Sequence, residues 1–226
     1  FTQNDFQSLS STQIVFVTPP GGGLIGVNVQ TNQGTTPTRP FTYLLDGPVP
    51  IAFQLTHTFP LGSPTNAAWG PDGNLYVARL TGQVTAFEFD ESYNIVSQTT
   101  YPGVSALSNH DLIGIAFSPY DPPDPVRLYL GHGEHYANGG TPPTEFSPYS
   151  GQISTLDGPD FDTPVPLITG LPVSNHDHAI NQIAFDNNGD LLIAVGSMTN
   201  AGVPHPNHGD LPESPLSAAV LKAKLS

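Results

Sequence analysis

Three times along this chain a short apolar run ends in a large aromatic, meets turn residues and restarts as a strand. The first copy is Asn66-Ala67-Ala68-Trp69-Gly70-Pro71-Asp72-Gly73-Asn74-Leu75-Tyr76-Val77-Ala78, and its clearest echo is Gln182-Ile183-Ala184-Phe185-Asp186-Asn187-Asn188-Gly189-Asp190-Leu191-Leu192-Ile193-Ala194. Between them, Gly114-Ile115-Ala116-Phe117-Ser118-Pro119 restarts at Arg127-Leu128-Tyr129-Leu130 after a Pro-rich detour. Asp-Gly and Asn-Gly supply the positive φ angles of tight hairpin turns. A recurring hairpin of this kind cannot bury its faces alone, so the repeat predicts the blades of a β-propeller, whose loops around a central channel carry the chemistry. Trp69 and Phe117 stand 48 residues apart, and Phe117 and Phe185 68 apart. These spacings fit blades of roughly 40–50 residues with insertions. Trp69, Phe117 and Phe185 are expected in the blade cores. About three blades and a final strand are accounted for, against the four to eight of a closed ring, so a partial propeller is expected.

Composition narrows the function classes. Among 226 residues, 23 Gly and 25 Pro make up about a fifth without low-complexity repeats, which means many turns in an all-β chain. Five Lys and Arg against 19 Asp and Glu leave a formal charge of -14, which repels nucleic acid and anionic membranes. Most of those carboxylates are expected on a solvated surface. With no cysteine, disulfides, thiolate zinc sites and a cysteine nucleophile are excluded. No apolar run approaches the ~20 residues of a membrane helix, and no signal peptide is visible. The chain starts at Phe1, as expected for a piece of a longer precursor.

Residues 1–45 follow a different pattern. Thr12–Thr18 is β-branched and stops at Pro19-Pro20-Gly21-Gly22-Gly23; Leu24–Thr31 alternates and turns at Asn32-Gln33-Gly34; Phe41-Thr42-Tyr43 closes a third strand. This stretch resembles the C-terminal half of a TIG-type (IPT/TIG) immunoglobulin-like domain, with its P-P-G-x-G turn, V-x-V-x-T strand and final F-x-Y. Asp46–Pro50 reads as a short stiff linker, since two prolines restrict it to extended conformations. Residues 51–226 then form the propeller segment. Its last stretch, from Glu213 on, carries both a helix-cap signal at Ser214-Pro215 and a period of two from Val220 to Leu225.

The densest polar cluster is Ser174-Asn175-His176-Asp177-His178, ahead of the apolar strand Ile183-Ala184-Phe185. Together with Leu171-Pro172, Asn188-Gly189 and Leu191–Gly196, it resembles the glucose/sorbosone dehydrogenase family of soluble quinoprotein sugar dehydrogenases. Trp69-Gly70-Pro71-Asp72-Gly73 with Thr81-Gly82, and Leu112–Pro119, match in order upstream. The resemblance implies the N-terminal half of a six-bladed propeller that binds pyrroloquinoline quinone and calcium over its channel, and a strand for the last segment. It also implies that His178 takes the proton of a sugar hydroxyl, with Asp177 or His176 orienting it, and that Asn109 contacts the quinone where the family has Gln. A neutral imidazole in a loop suits that chemistry, although a histidine before a strand is commonly just bonded to backbone. The quinone is a tricarboxylate and calls for cations, of which the chain offers only Arg39, Arg79, Arg127, Lys222 and Lys224.

His132-Gly133-Glu134-His135 and His205-Pro206-Asn207-His208 have metal-like spacing, but Gly and Pro place them in loops, so no metal site is assigned. Asp121, Asp124, Asp157, Asp160 and Asp162 are oxygen ligands of the type calcium takes, without a D-x-D-x-D-G loop. No N-x-S/T sequon occurs. Two functions from different classes follow. One is a non-catalytic module of a large extracellular or cell-surface protein, adhesive or filamentous, completed by other domains or chains. The other is part of a quinone-dependent sugar dehydrogenase with His178 as general base.

Overall fold

The computed structural model describes residues 6–9, 14–16, 24–28, 30–31, 34–42, 55, 58–107, 110–134, 147–174 and 178–225. The chain divides into two compact units, Phe1–Thr56 and His57–Ser226. In the first, β1 (Phe6–Leu9) pairs with β2 (Ile14–Phe16), β3 (Leu24–Val27) with β6 (Arg39–Thr42), and β4 (Gln30–Thr31) with β5 (Gly34–Thr35), all antiparallel. β2 lies within the strand expected over Thr12–Thr18, β3 and β4 within that expected over Leu24–Thr31, and β6 includes Phe41 and Thr42, while Asn32 and Gln33 of the expected turn lie outside the described residues.

The second unit is all-β. One sheet holds β7 (Pro64–Trp69), β8 (Leu75–Arg79), β9 (Val84–Phe89) and β10 (Ile95–Tyr101) in that order. The next holds β11 (His110–Ala116), β12 (Arg127–Glu134), β13 (Gly151–Asp157) and β14 (Val165–Leu171). The third holds β15 (Ile180–Phe185), β16 (Leu191–Val195) and β17 (Ala219–Ala223), so the last segment is a strand and completes this blade's third position. Each sheet is an antiparallel meander, and β11 packs against β7 and β8 on one side and β15 on the other. That stacking of first strands makes the sheets consecutive blades of a partial propeller. Among the described residues no helix is long and apolar enough to cross a membrane.

Alternation in the second blade explains why it needs both neighbours. Leu112, Ile115, Leu128, Leu130 and Leu156 join Tyr76, Val84 and Phe161 in the seam with the first blade. Their neighbours Ala116, Tyr129 and Ile153 face the other way, into the seam with Ile180, Ile183, Leu191 and Ile193. With period two, one sheet thus feeds two cores. Phe117 and Phe185 pack against these cores, Phe117 edge-on to Tyr76 at 5.2 Å and Phe185 edge-on to Tyr129 at 4.8 Å. Trp69 departs from expectation. Its neighbour Ala68 takes the seam side, so the indole falls on the opposite face, against Phe89 at 5.8 Å and 53% exposed.

The repeated turns share one geometry. Gly70 N–H reaches the Asn74 carbonyl at 2.8 Å and Asp186 N–H the Asp190 carbonyl at 2.9 Å, with Gly73 and Gly189 at φ 84° and 82°. Asp90–Asn94 repeats it with Tyr93 at φ 62°, a copy hidden in the sequence because tyrosine occupies the glycine position. In all three an aspartate Oδ1 accepts backbone N–H groups within the turn, Asp72 from Asn74, Asp90 from Ser92 and Asn94, and Asp186 from Asn188 and Asp190. A second repeat ties blade to turn: the Tyr76 hydroxyl donates to Asp72 at 2.8 Å and the Tyr129 hydroxyl to Asp121 at 2.9 Å.

The innermost strands approach each other where Gly114 meets β15. A Cβ there would come within 2.4 Å of the Asn181 carbonyl oxygen, which is backbone and cannot swing away. Gly114→Ala is expected to lower stability by about 1–3 kcal/mol through overpacking, read as a lower urea midpoint with unchanged slope. An unchanged midpoint would contradict the close stacking of the second and third blades.

Candidate functional site

The first strand of each blade enters from one end of the stack, and the connection between second and third strands lies at that same end. The ends of β11, β12 and β15 therefore converge with the β16–β17 connection, and they bring histidines with them. His110 opens β11, His132 lies near the end of β12, His178 stands two residues before β15, and between β16 and β17 His205 precedes and His208 ends a short 3-10 turn (Pro206–His208).

His132 was expected in a loop and instead lies on strand β12, fully buried. The flanking Gly131 and Gly133 are part of the strand and sit where neighbouring side chains approach closely. A Cβ would meet Ile180 Cγ2 at 3.0 Å in the first case and Val173 Cγ2 at 3.1 Å in the second. His132 Nδ1 lies 2.8 Å from His110 Nδ1, and its Nε2 lies 2.9 Å from Ser154 Oγ. Ser154 Oγ accepts from Gln152 Nε2 at 2.6 Å. Burial, reinforced by His110, lowers the His132 pKa to about 3, and burial also lowers that of His110 against the pull of Glu134. Both rings are therefore neutral near pH 7.

Two neutral imidazoles facing Nδ1 to Nδ1 share one proton. With Ser154 donating to His132 Nε2, the His132 Nδ1–H donates to His110 Nδ1, so both nitrogens of His132 and the serine hydroxyl are paired. His110 is left with its proton on Nε2. The network thus fixes the tautomer of the outermost ring from a buried serine two side chains away.

His178 is fixed differently. Its Nδ1 lies 3.1 Å from the Ser197 carbonyl and 2.9 Å from Ser197 Oγ, while that hydroxyl donates to the Thr199 carbonyl at 2.8 Å. Both Ser197 oxygens facing the ring are acceptors, so the proton sits on Nδ1 and Nε2 carries a lone pair. The backbone is held as well, with Ser174 N–H on the His178 carbonyl at 2.7 Å and His178 N–H on Ser174 Oγ at 3.1 Å. His208 stacks on the ring, centroids 4.8 Å apart and planes within 10°. The loop that delivers His208 is clasped by Glu213, whose carboxylate accepts from the Met198 and Thr199 amides at 3.0 and 3.2 Å and from the Thr199 and Ser217 hydroxyls. Desolvation opposes ionisation of Glu213, but these four donors outweigh it and hold the pKa down at about 2.

Of the residues singled out from the sequence, His178 is in this cluster, while His176, Asp177, Asn109 and His135 lie outside the described residues. The orienting partner seen on His178 is Ser197, which the sequence pattern did not single out. Among the described residues no three His, Asp or Glu side chains converge as metal ligands. Asp121 and Asp157 are engaged with Tyr129 and Arg127 at the other end of the stack.

No family model and no curated protein matches this chain. Among solved structures it is similar to the pyrroloquinoline-quinone-bound aldose sugar dehydrogenase of Streptomyces coelicolor, with 20% identity over 72% of this chain and 45% of that one, TM-score 0.50. An oxidoreductase of Thermus thermophilus described as a glucose dehydrogenase matches at 22% identity over 72% and 44%, TM-score 0.48. The Dos1 propeller matches at 15% identity over 77% and 48%, TM-score 0.35. The fold is a sugar-dehydrogenase-like β-propeller. The chain spans less than half the length of the structures it matches.

The described donor set does not fit a tricarboxylate quinone. Arg127 is paired with Asp157, and Lys222 with Asp186 and Asp190, at the end opposite the histidines. Lys224 follows Lys222 toward that same end. In the propeller unit only Arg79 is a described cation at the histidine end, and it is engaged with the Gly62 carbonyl and Gln83.

The buried His132 makes a pH prediction. Its folded pKa of about 3 lies below the unfolded value of 6.5, so protons bind the unfolded chain preferentially as pH falls through 6.5. Stability is intact above that pH and declines below it at up to about 1.4 kcal/mol per pH unit. Urea midpoints measured from pH 7.5 to 5 should fall more steeply for the wild type than for His132→Gln; parallel slopes would show that the ring is not buried neutral.

Proposed function

We propose that the histidine end of this propeller binds a sugar hydroxyl and that His178 Nε2 accepts its proton, making the chain part of a sugar-oxidising propeller of the aldose dehydrogenase type. The observation that carries this is the tautomer: Ser197 holds the proton on Nδ1 and leaves a directed lone pair on a ring fixed by backbone bonds and by the His208 stack. His110, presenting Nε2–H from the adjacent first strand, complements it as a donor. Oxidation of the carbinol carbon further requires a hydride acceptor, and the sequence resemblance names pyrroloquinoline quinone with calcium for that role. Cations for it would have to come from parts of the protein other than the described residues.

A second reading is favoured by the engaged cations. With Arg79, Arg127 and Lys222 all committed, the propeller serves as a non-catalytic module of an extracellular or cell-surface protein, adhesive or filamentous, its N-terminal strands belonging to a TIG-type domain.

The intact protein should be titrated with pyrroloquinoline quinone in calcium and assayed for dye reduction over a sugar panel. The first reading expects saturable binding, and a loss of kcat of about 10²–10⁴ in His178→Ala with quinone affinity retained. Turnover that survives His178→Ala would remove His178 from the chemistry. No binding by the folded protein would leave the module reading.

A further inference from the structure

At the end of the stack opposite the histidines, the seam between the second and third blades opens into a cavity of about 520 Å³. Its floor and rim are built from the β11–β12 connection, the adjoining ends of β12 and β13, the start of β14 and the β15–β16 turn. None of these residues belongs to the histidine cluster.

Tyr120 is the conspicuous wall of this cavity. It is 62% exposed, yet its hydroxyl donates to the Asn187 carbonyl at 2.5 Å and its ring lies against Gly189, where a Cβ would come within 3.0 Å. An exposed aromatic already fixed at both ring and hydroxyl loses little entropy when a ligand covers it. Val165 and Leu167, alternate residues of β14, line the cavity too and remain 56% and 43% exposed. Beside these apolar surfaces, Asp157 takes a two-pronged hydrogen bond from Arg127 at 2.6 and 3.0 Å, and Asp121 accepts from Tyr129. Each carboxylate has about four acceptor sites, so both keep capacity for further donors.

A ligand matching this cavity has a flat C–H face for Tyr120 and several hydroxyl donors for the carboxylates. Charge selects further. Two carboxylates against one guanidinium leave the cavity net negative within a chain of charge -14, which disfavours phosphates, uronic acids and other anions. We propose that this cavity is a binding site for a neutral saccharide, separate from the histidine end and independent of the function assigned there. It would anchor a glycan while leaving the opposite end free.

The test is calorimetric titration of the intact protein with maltotriose, cellotriose and xylotriose, with trigalacturonate as the anionic counterpart. Saturable binding of at least one neutral trisaccharide is expected, weakened at least about tenfold by Tyr120→Ala. Leu167→Glu, at an exposed strand position where folding tolerates it, is expected to weaken binding likewise and decides the matter if the tyrosine variant proves unstable. His178→Ala should leave the affinity unchanged. Absence of saturable neutral-sugar binding, equal binding of trigalacturonate, or affinity indifferent to both cavity variants would overturn the proposal. So would loss of binding in His178→Ala, which would put the saccharide at the histidines.

Discussion

The central strand β12 of the second blade is buried on both faces, and that constraint organises the rest of the propeller unit. β12 is buried over six consecutive residues, Leu128 to Gly133, with its even-numbered leucines in one seam and Tyr129 in the other. A sheet with two apolar faces is stable only between two partners, and burial of each large aliphatic side chain contributes about 1.5–3 kcal/mol. The seams in turn dictate where polar chemistry can occur. The inner strands are committed to packing while the outer strands β10 and β14 are largely exposed, so the clusters of polar side chains described above collect at the two ends of the stack. The histidines occupy one end, and the carboxylates with Tyr120 occupy the other.

Much of this was legible in the sequence because the repeat obeys local rules. Asp-Gly and Asn-Gly turns fixed the hairpins by backbone conformation alone, and Leu-Tyr restarts announced the second strands. The Asp90–Asn94 turn was not visible, since Tyr93 adopts positive φ without the residue that signals it. Trp69 was misplaced for a different reason. Period two says that neighbours take opposite faces, but not which face meets another blade, and Ala68 rather than Trp69 won the seam. The site was half legible. His178 stood out by its polar surroundings; Ser197 and Glu213, which define its proton and its neighbouring loop, are isolated residues whose partners lie 19 and 15 positions away in sequence.

His132 shows how a glycine pattern can mislead. Gly131-His132-Gly133 looks like a loop because glycine weakens strands in general. Here the same glycines mark close approaches, of the third blade at Gly131 and of Val173 and the neighbouring strand β13 at Gly133, so flexibility in sequence became close packing in the fold. The consequence reaches the functional end. A histidine forced into that strand must be neutral and must bond within the blade, and through Ser154 and Gln152 it sets which nitrogen of His110 carries the proton.

Electrostatics then separates the two ends by more than distance. Lys222 is held between Asp186 and Asp190, and Arg127 on Asp157, so these two cations at the far end neutralise carboxylates rather than present free charge. With those cations paired, the side chains lining the two ends are mostly neutral or negative and rich in acceptors. Such surfaces suit ligands that donate hydrogen bonds without carrying anionic charge, and polyhydroxylated molecules meet that description. One chemical preference can therefore arise at opposite ends of a single stack. At the histidine end, the proposed reading has the lone pair of a fixed imidazole take a proton from a bound hydroxyl. At the other end, the carboxylates already accept from arginine and tyrosine, and their chemistry is limited to holding.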